Sequence, residues 1–132
     1  MEQSKLSFTN PIIEKLNYNI NLNFESRNGL TDIVNSFKVN IKRVENKNEA
    51  WVELNIIVGQ EGKDVPFYID LVVCAAFRWE DCYDDKTLQD LLSINAPALL
   101  LGYARPMIAS ITNMSPFPAY NLPFYNFTKQ SQ

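Results

Sequence analysis

The side chains that usually carry catalysis are scarce in this chain. It contains no histidine, which removes Ser-His-Asp and Cys-His catalysis, histidine-containing zinc sites and the usual general base near neutral pH. What remains is a carboxylate pair, for example Asp70 with Glu80 acting as acid and base. Ten residues apart on one extended strand, these two would stand ~33 Å from each other, too far for a single substrate bond unless the chain folds back after Trp79. Glu80, Asp81, Asp84 and Asp85 form an acidic cluster, but no Asp-x-Asp-x-Asp-Gly loop accompanies them. They read as a solvated turn that places Asp84 or Asp85 at a helix N-terminus, and neither a metal nor another cofactor is expected. Cys74 sits in an apolar run and Cys82 in an acidic turn; with no signal peptide they read as free cytosolic thiols rather than a disulfide.

Aromatic surface is what the chain has in quantity. Phe117, Tyr120, Phe124, Tyr125 and Phe127 fall close together, separated by Pro116, Pro118 and Pro123. The prolines exclude a regular helix and keep the segment extended. Single rings of this kind can plug the edge of a core. An extended apolar segment on a surface can equally form a groove for another polypeptide.

The elements that must position this segment are legible by period. Leu16, Tyr18, Ile20, Leu22 and Phe24 alternate with Asn17, Asn19, Asn21 and Asn23, which predicts a strand with one buried and one wet face. After a connection containing Asn28-Gly29, a second strand runs through Phe37, Val39 and Ile41. A third runs through Val52, Leu54, Ile56 and Val58, with Glu45 to Glu49 as the hairpin turn between them. Gly59 to Gly62 makes the next turn, and Val65 to Phe77 the longest strand, apolar enough on both faces to expect covering on both. Four strands joined by short turns predict an antiparallel meander.

The second half changes period. Asp85 to Leu92 predicts a short helix, and Asn95 a cap for a longer one over Ala96 to Asn113, with Pro97 in its first turn. Pro106 should kink or break this helix near Gly102. Its first turns are apolar nearly all round, more than one sheet can cover, so a second subunit is expected on the remaining face.

Composition agrees with a single soluble α+β domain over residues 1–132. The chain is 46% hydrophobic and 20% charged, with 12 Lys plus Arg against 15 Asp plus Glu for a formal charge of -3. That balance and the lack of a basic block disfavour nucleic acid. No run of 18 apolar residues and no apolar N-terminal segment occur, so neither membrane insertion nor secretion is expected, and the cytoplasm is the expected location.

The second half also carries a resemblance. Asn95-Ala-Pro-Ala-Leu-Leu-Leu-Gly-Tyr103-Ala104-Arg105, then Ile108-Ala109-Ser110, then Phe117-Pro118-Ala-Tyr-Asn121-Leu122, and finally Asn126-Phe127, in that order and spacing, resembles the C-terminal half of the SecB protein-export chaperones. The likeness extends loosely upstream, over roughly residues 6 to 128. It implies an α+β fold of a four-stranded antiparallel sheet covered by a long helix, assembled as a dimer of dimers through first strands and long helices. On this chain the interface would fall to Tyr18, Ile20, Leu100, Tyr103 and Met107, with Arg105 pairing to a carboxylate or backbone carbonyl there.

For function the resemblance implies an ATP-independent holdase, not an enzyme, that keeps unfolded precursor polypeptides from aggregating before export. The family's aromatic groove would map to Phe117, Tyr120, Leu122 and Phe124. Two departures are visible. The chain stops five residues after Phe127, so the family's C-terminal lid helix is missing or nearly so. The acidic patch with which the family docks on the SecA translocation motor is reduced to Asp70, which reads equally as an ordinary solvent-facing strand residue. Some family members hold an aggregation-prone antitoxin instead of a preprotein, and the short chain suits that duty as well. A small apolar-ligand carrier, with a closed pocket and no need of a tetramer, is the more distant alternative.

Overall fold

A computed structural model describes residues 6–25, 33–60 and 64–129; the Asn28-Gly29 connection and the Glu61-Gly62 half of the next turn lie outside them. The strands are β1 (Leu6–Phe8), β2 (Ile12–Ile20), β3 (Asn35–Arg43), β4 (Glu49–Val58) and β5 (Phe67–Trp79). All pair antiparallel, in the order β3-β4-β5, with β1 and β2 both lying along the far side of β5. The sheet is therefore four rows wide, its first row in two pieces. β2 pairs with the last strand and not with β3, so the expected meander holds only for β3 to β5.

The break in the first row has a local cause. Pro11 has no N–H to donate to a ladder, and Thr9 bridges the gap: its N–H donates to the Ala76 carbonyl and its hydroxyl accepts the Ala76 N–H. A bulge at Glu14 then shifts register between Ile13 and Lys15. At the other end β2 stops at Ile20, four residues short of the expected boundary, because the Asn21 side chain and carbonyl accept the N–H groups of Asn23 and Phe24 and turn the chain.

β3 and β4 form the expected hairpin. Val44 N–H donates to the Glu49 carbonyl, and Asn46 takes the left-handed backbone (φ 63°) that this turn requires. Gly59 has φ 81°, and a Cβ there would lie 2.6 Å from the Phe67 carbonyl oxygen, so the β4 to β5 corner admits only glycine.

The helical part consists of α1 (Asp85–Asp90) and α2 (Ala96–Asn113), joined without interruption by a π-helical turn at Leu91–Asn95. Asp84 caps α1 by accepting the Thr87 N–H at 2.7 Å. Asn95 does not cap α2; it stays helical inside the continuous rod. The wider turn has a packing reason. Leu88, Leu92, Ala96, Leu100, Ala104, Ile108 and Thr112 are all buried at four-residue spacing, which runs ahead of 3.6 residues per turn, and a π turn lets the stripe fall back onto the sheet. Pro106 neither breaks nor interrupts the helix. The Gly102 carbonyl it leaves without a donor lies on the exposed side of α2, open to solvent.

The core sits between this rod and one face of the sheet: Val52, Leu54, Ile56 and Val58 of β4 against Ile69, Leu71, Val73 and Phe77 of β5, closed by Leu100, Ala104 and Ile108. A helix ~10 Å wide covers about two strands spaced ~4.8 Å apart. The β4 and β5 side chains on this face are accordingly buried, while those of β3 and β2 lie outside the helix's shadow. By length and composition Asp85–Asn113 could cross a bilayer, but its apolar stripe is committed to the sheet.

Candidate functional site

The aromatic segment after α2 turns back along the helix that precedes it. Tyr120 N–H donates to the Thr112 hydroxyl at 2.8 Å, and Arg105 Nε donates to the Leu122 carbonyl at 2.8 Å. The Phe127–Lys129 turn then packs beside the π turn at Leu91–Asn95. The segment is thus a strap running antiparallel to α2 over the β3 side of the sheet, the side the helix leaves bare.

Its side chains divide between core and surface. Leu122 and Phe127 are buried, so Leu122 belongs to the protein's own core and offers no side chain to a ligand. Tyr120 is half-buried against Phe67 (ring centroids 5.9 Å apart), and its hydroxyl exchanges hydrogen bonds with the Asn35 side chain. Phe117, also half-buried, meets Phe24 edge to face at 5.7 Å. Tyr125 stacks on Phe37 at 4.4 Å. Phe124 is 85% exposed, with the Arg105 guanidinium over its ring at 4.1 Å. Arg105 therefore pairs with a carbonyl, as expected, but with one of its own strap. Of the four residues expected to line a groove, Phe117, Tyr120 and Phe124 reach the surface, at successive points along the strap and not in one pocket.

Among the described residues no strap covers the opposite flank of α2, and apolar side chains lie open there. Phe8 (41% exposed), Ile13, Leu16 and Ile20 of the first row share the helix face with Tyr103 (49% exposed) and half-buried Met107. Phe8 and Tyr103 meet at 6.4 Å, and Tyr18 hydroxyl donates to the Ile111 carbonyl. Of the five expected interface residues, Ile20, Tyr103 and Met107 lie on this flank and Tyr18 at its floor. Leu100 is fully buried: it faces its own sheet because it falls on the four-residue stripe. Period reasoning missed Phe8 and Ile13, since the break at Pro11 and the bulge at Glu14 erase the alternation ahead of Leu16. It also missed Asn35 and Thr112, whose partners lie far off in sequence and leave no local signal.

The other face of the sheet is polar and self-neutralised. Asp70 is gripped by Lys15 Nζ at 2.8 Å and by Asn55 Nδ2 at 2.8 Å. Burial pushes its carboxyl up, but these hydrogen bonds and the Lys15 charge outweigh that and hold it below its ordinary value. Lys42 pairs with Glu53 and Arg78 with Glu49 on the same face. A shallow depression of about 380 Å³ there is lined by Lys38, Asn40, Glu53 and Asn55 beside Val39 and Val72, too polar for an apolar ligand. Of the expected covering on both faces, only Cys74 on this side is buried; Tyr68, Val72 and Ala76 stay partly open. Among the described residues no group of three or more Cys, Asp or Glu is placed to hold a metal. Asp84 serves as a cap, and Asp81 accepts a hydrogen bond from Asn48.

Comparison with protein-family models matches residues 6–130 to the family described as preprotein translocase subunit SecB. No curated protein sequence matches the chain. Among solved structures, the Mycobacterium tuberculosis Rv1957 SecB-like chaperone, in complex with a ChAD peptide from the Rv1956 HigA1 antitoxin, superposes with a TM-score of 0.72 at 14% identity, over 92% of this chain and 91% of that one. A protein of unknown function from Streptococcus agalactiae follows with a TM-score of 0.53 at 16% identity, over 90% and 97%. At these identities the two structures speak for the fold alone.

Proposed function

The chain belongs to the SecB family, and on that premise we propose that it is an ATP-independent holdase that keeps unfolded polypeptides from aggregating. The observation that carries this reading is the strap, which sets Phe117, Tyr120 and Phe124 along the surface of a well-packed core while Leu122 and Phe127 anchor it. Burial of apolar client side chains on such a surface stabilises a complex by ~25 cal/mol per Å² without directional hydrogen bonds, and so with little sequence preference. A folded protein keeps those side chains inside and is ignored.

The bare flank of Phe8, Ile13, Leu16, Ile20, Tyr103 and Met107 is the surface on which two copies would join, with the free edge of β2 extending the sheet. We assign the working form as a cytoplasmic homotetramer whose several straps bind one long client by avidity.

For the client, precursors destined for export are the family's named duty. A second reading, the holding of an antitoxin, is favoured by one observation: Asp70, the single acid that could answer to the SecA-docking patch, is neutralised by Lys15. The likeness to the Rv1957 chaperone, solved with an antitoxin peptide, points the same way.

Native mass spectrometry of the protein with and without a reduced, alkylated polypeptide tests the reading. The expected result is a tetramer that takes up the unfolded chain and leaves the folded form of the same protein free. A monomer indifferent to both would overturn it.

A further inference from the structure

Thr112 is the fully buried polar side chain among the described residues. Its hydroxyl donates to the Ile108 carbonyl at 2.7 Å, one turn back in α2, and accepts the Tyr120 N–H at 2.8 Å. Tyr120 in turn presents its ring to Phe67 and exchanges hydrogen bonds with Asn35 at the start of β3. Next to these, the Ser115 hydroxyl donates to the Thr112 carbonyl and accepts the Phe117 N–H at 3.1 Å. One threonine thus ties the last turn of the helix to the strap at the point between its two half-buried rings.

We propose that Thr112 is a positioning residue for polypeptide capture: through the Tyr120 amide it fixes the reach of Phe117 and Tyr120 above the sheet, so that the rings meet a client already in place. The proposal rests on the holdase reading. Its physical content is preorganisation. An extended segment with Pro116 and Pro118 but no ladder partners has few restraints of its own, and any freedom it kept when unliganded would be lost on binding. With the hydroxyl gone the part-buried Tyr120 N–H loses its acceptor, and the strap must shift until that amide finds water. The threonine methyl packs in the core while the hydroxyl does this work, so valine keeps the shape and removes only the hydrogen bonds.

The test uses the full chain with reduced, carboxymethylated α-lactalbumin as the unfolded probe. Thr112→Val should speed amide exchange at Tyr120 at least tenfold and weaken probe binding about fivefold, the effect of one net hydrogen bond, with the native mass unchanged. Thr112→Ser should restore both readings to within about twofold, since it returns the hydroxyl. Tyr120→Phe, which leaves the Thr112 bond intact, should weaken binding without exposing the Tyr120 amide. If Thr112→Val frees the amide yet binds the probe as the wild type does, the positioning role is overturned. It is equally overturned if the amide exchanges no faster. A wild-type protein that leaves the probe in solution would instead remove the holdase reading, and the exchange rates would still decide whether Thr112 holds the strap.

Discussion

Lys15 on the edge strand lies 2.8 Å from Asp70 on its neighbour, and Asn55 holds the other carboxylate oxygen from the far side. The acid at the centre of the polar face is thereby part of a cross-strand bridge and presents no free charge. Burial raises its carboxyl, but the two hydrogen bonds lower it further, so the folded protein holds the ionised form. A depressed carboxylate contributes stability that is present above the unfolded value of about 3.9 and lost as pH falls through the folded one. The urea midpoint of the wild type should therefore exceed that of Asp70→Asn by a constant amount between about pH 7 and pH 5 and converge with it as the folded carboxyl is protonated in acid. With Lys15 largely solvated the difference should be small. A gap that widens on acidification would show that the neutral acid is the favoured form.

Phe117→Ala combined with Tyr120→Ala should weaken binding of an unfolded polypeptide and leave the oligomer intact, because both rings sit on the strap and away from the Tyr103 flank. Fluorescence anisotropy of a labelled, alkylated client reads this directly. Unchanged affinity would remove the strap from the binding surface.

Tyr103→Asp should split the assembly. The ring is half exposed beside Phe8 on the bare flank, and a carboxylate buried there by a second subunit would be unpaired. Light scattering gives the mass. A variant that keeps the wild-type mass would mean that the flank faces solvent in every state.

Leu122→Ala and Leu100→Ala should each cost about 2 to 5 kcal/mol, since both side chains are fully buried and the cavities they leave have rigid walls. Thermal melts are the check. A Leu122→Ala protein that melts with the wild type would show that the strap is undocked in solution.

Of the two thiols, burial raises Cys74 to about 11, with Glu14 and Glu53 adding to the shift, and Cys82 is exposed. Iodoacetamide at pH 8 should label Cys82 alone, and Cys74 only after denaturation. Mass spectrometry of the peptides distinguishes the two, and early labelling of Cys74 would place β2 off the sheet.

Much of the fold was legible because it is periodic. Phe37 to Ile41, Val52 to Val58 and the Ala96 to Asn113 helix declare themselves through spacings of two and about four that the core requires. Pairing partners do not declare themselves. Leu16 to Phe24 alternates perfectly, yet nothing in that alternation says that its ladder is made with Ile69 and Leu71 rather than with β3. The same pattern runs on through Leu22 and Phe24 after Asn21 has already turned the chain. For the site, sequence spacing brought out the rings but not their depth. Leu122 and Phe124 are two residues apart, one buried and one open, and the Arg105 contacts to the Leu122 carbonyl and the Phe124 ring that accompany this leave no mark in the spacing.

The interruption at Thr9 to Pro11 bears on the size that an assembly of this protein can reach. A single uninterrupted strand at the rim of a sheet is a template on which further chains can stack without limit, the first step toward a fibril. Here the rim is cut by a proline, kinked again at Glu14, and left with only nine residues in β2. A second copy can match that short length once, with its own rim facing back, after which no strand edge remains on that side to recruit a third. Strand pairing along this rim would therefore end at two copies, and the proposed tetramer would have to close through side-chain contacts instead.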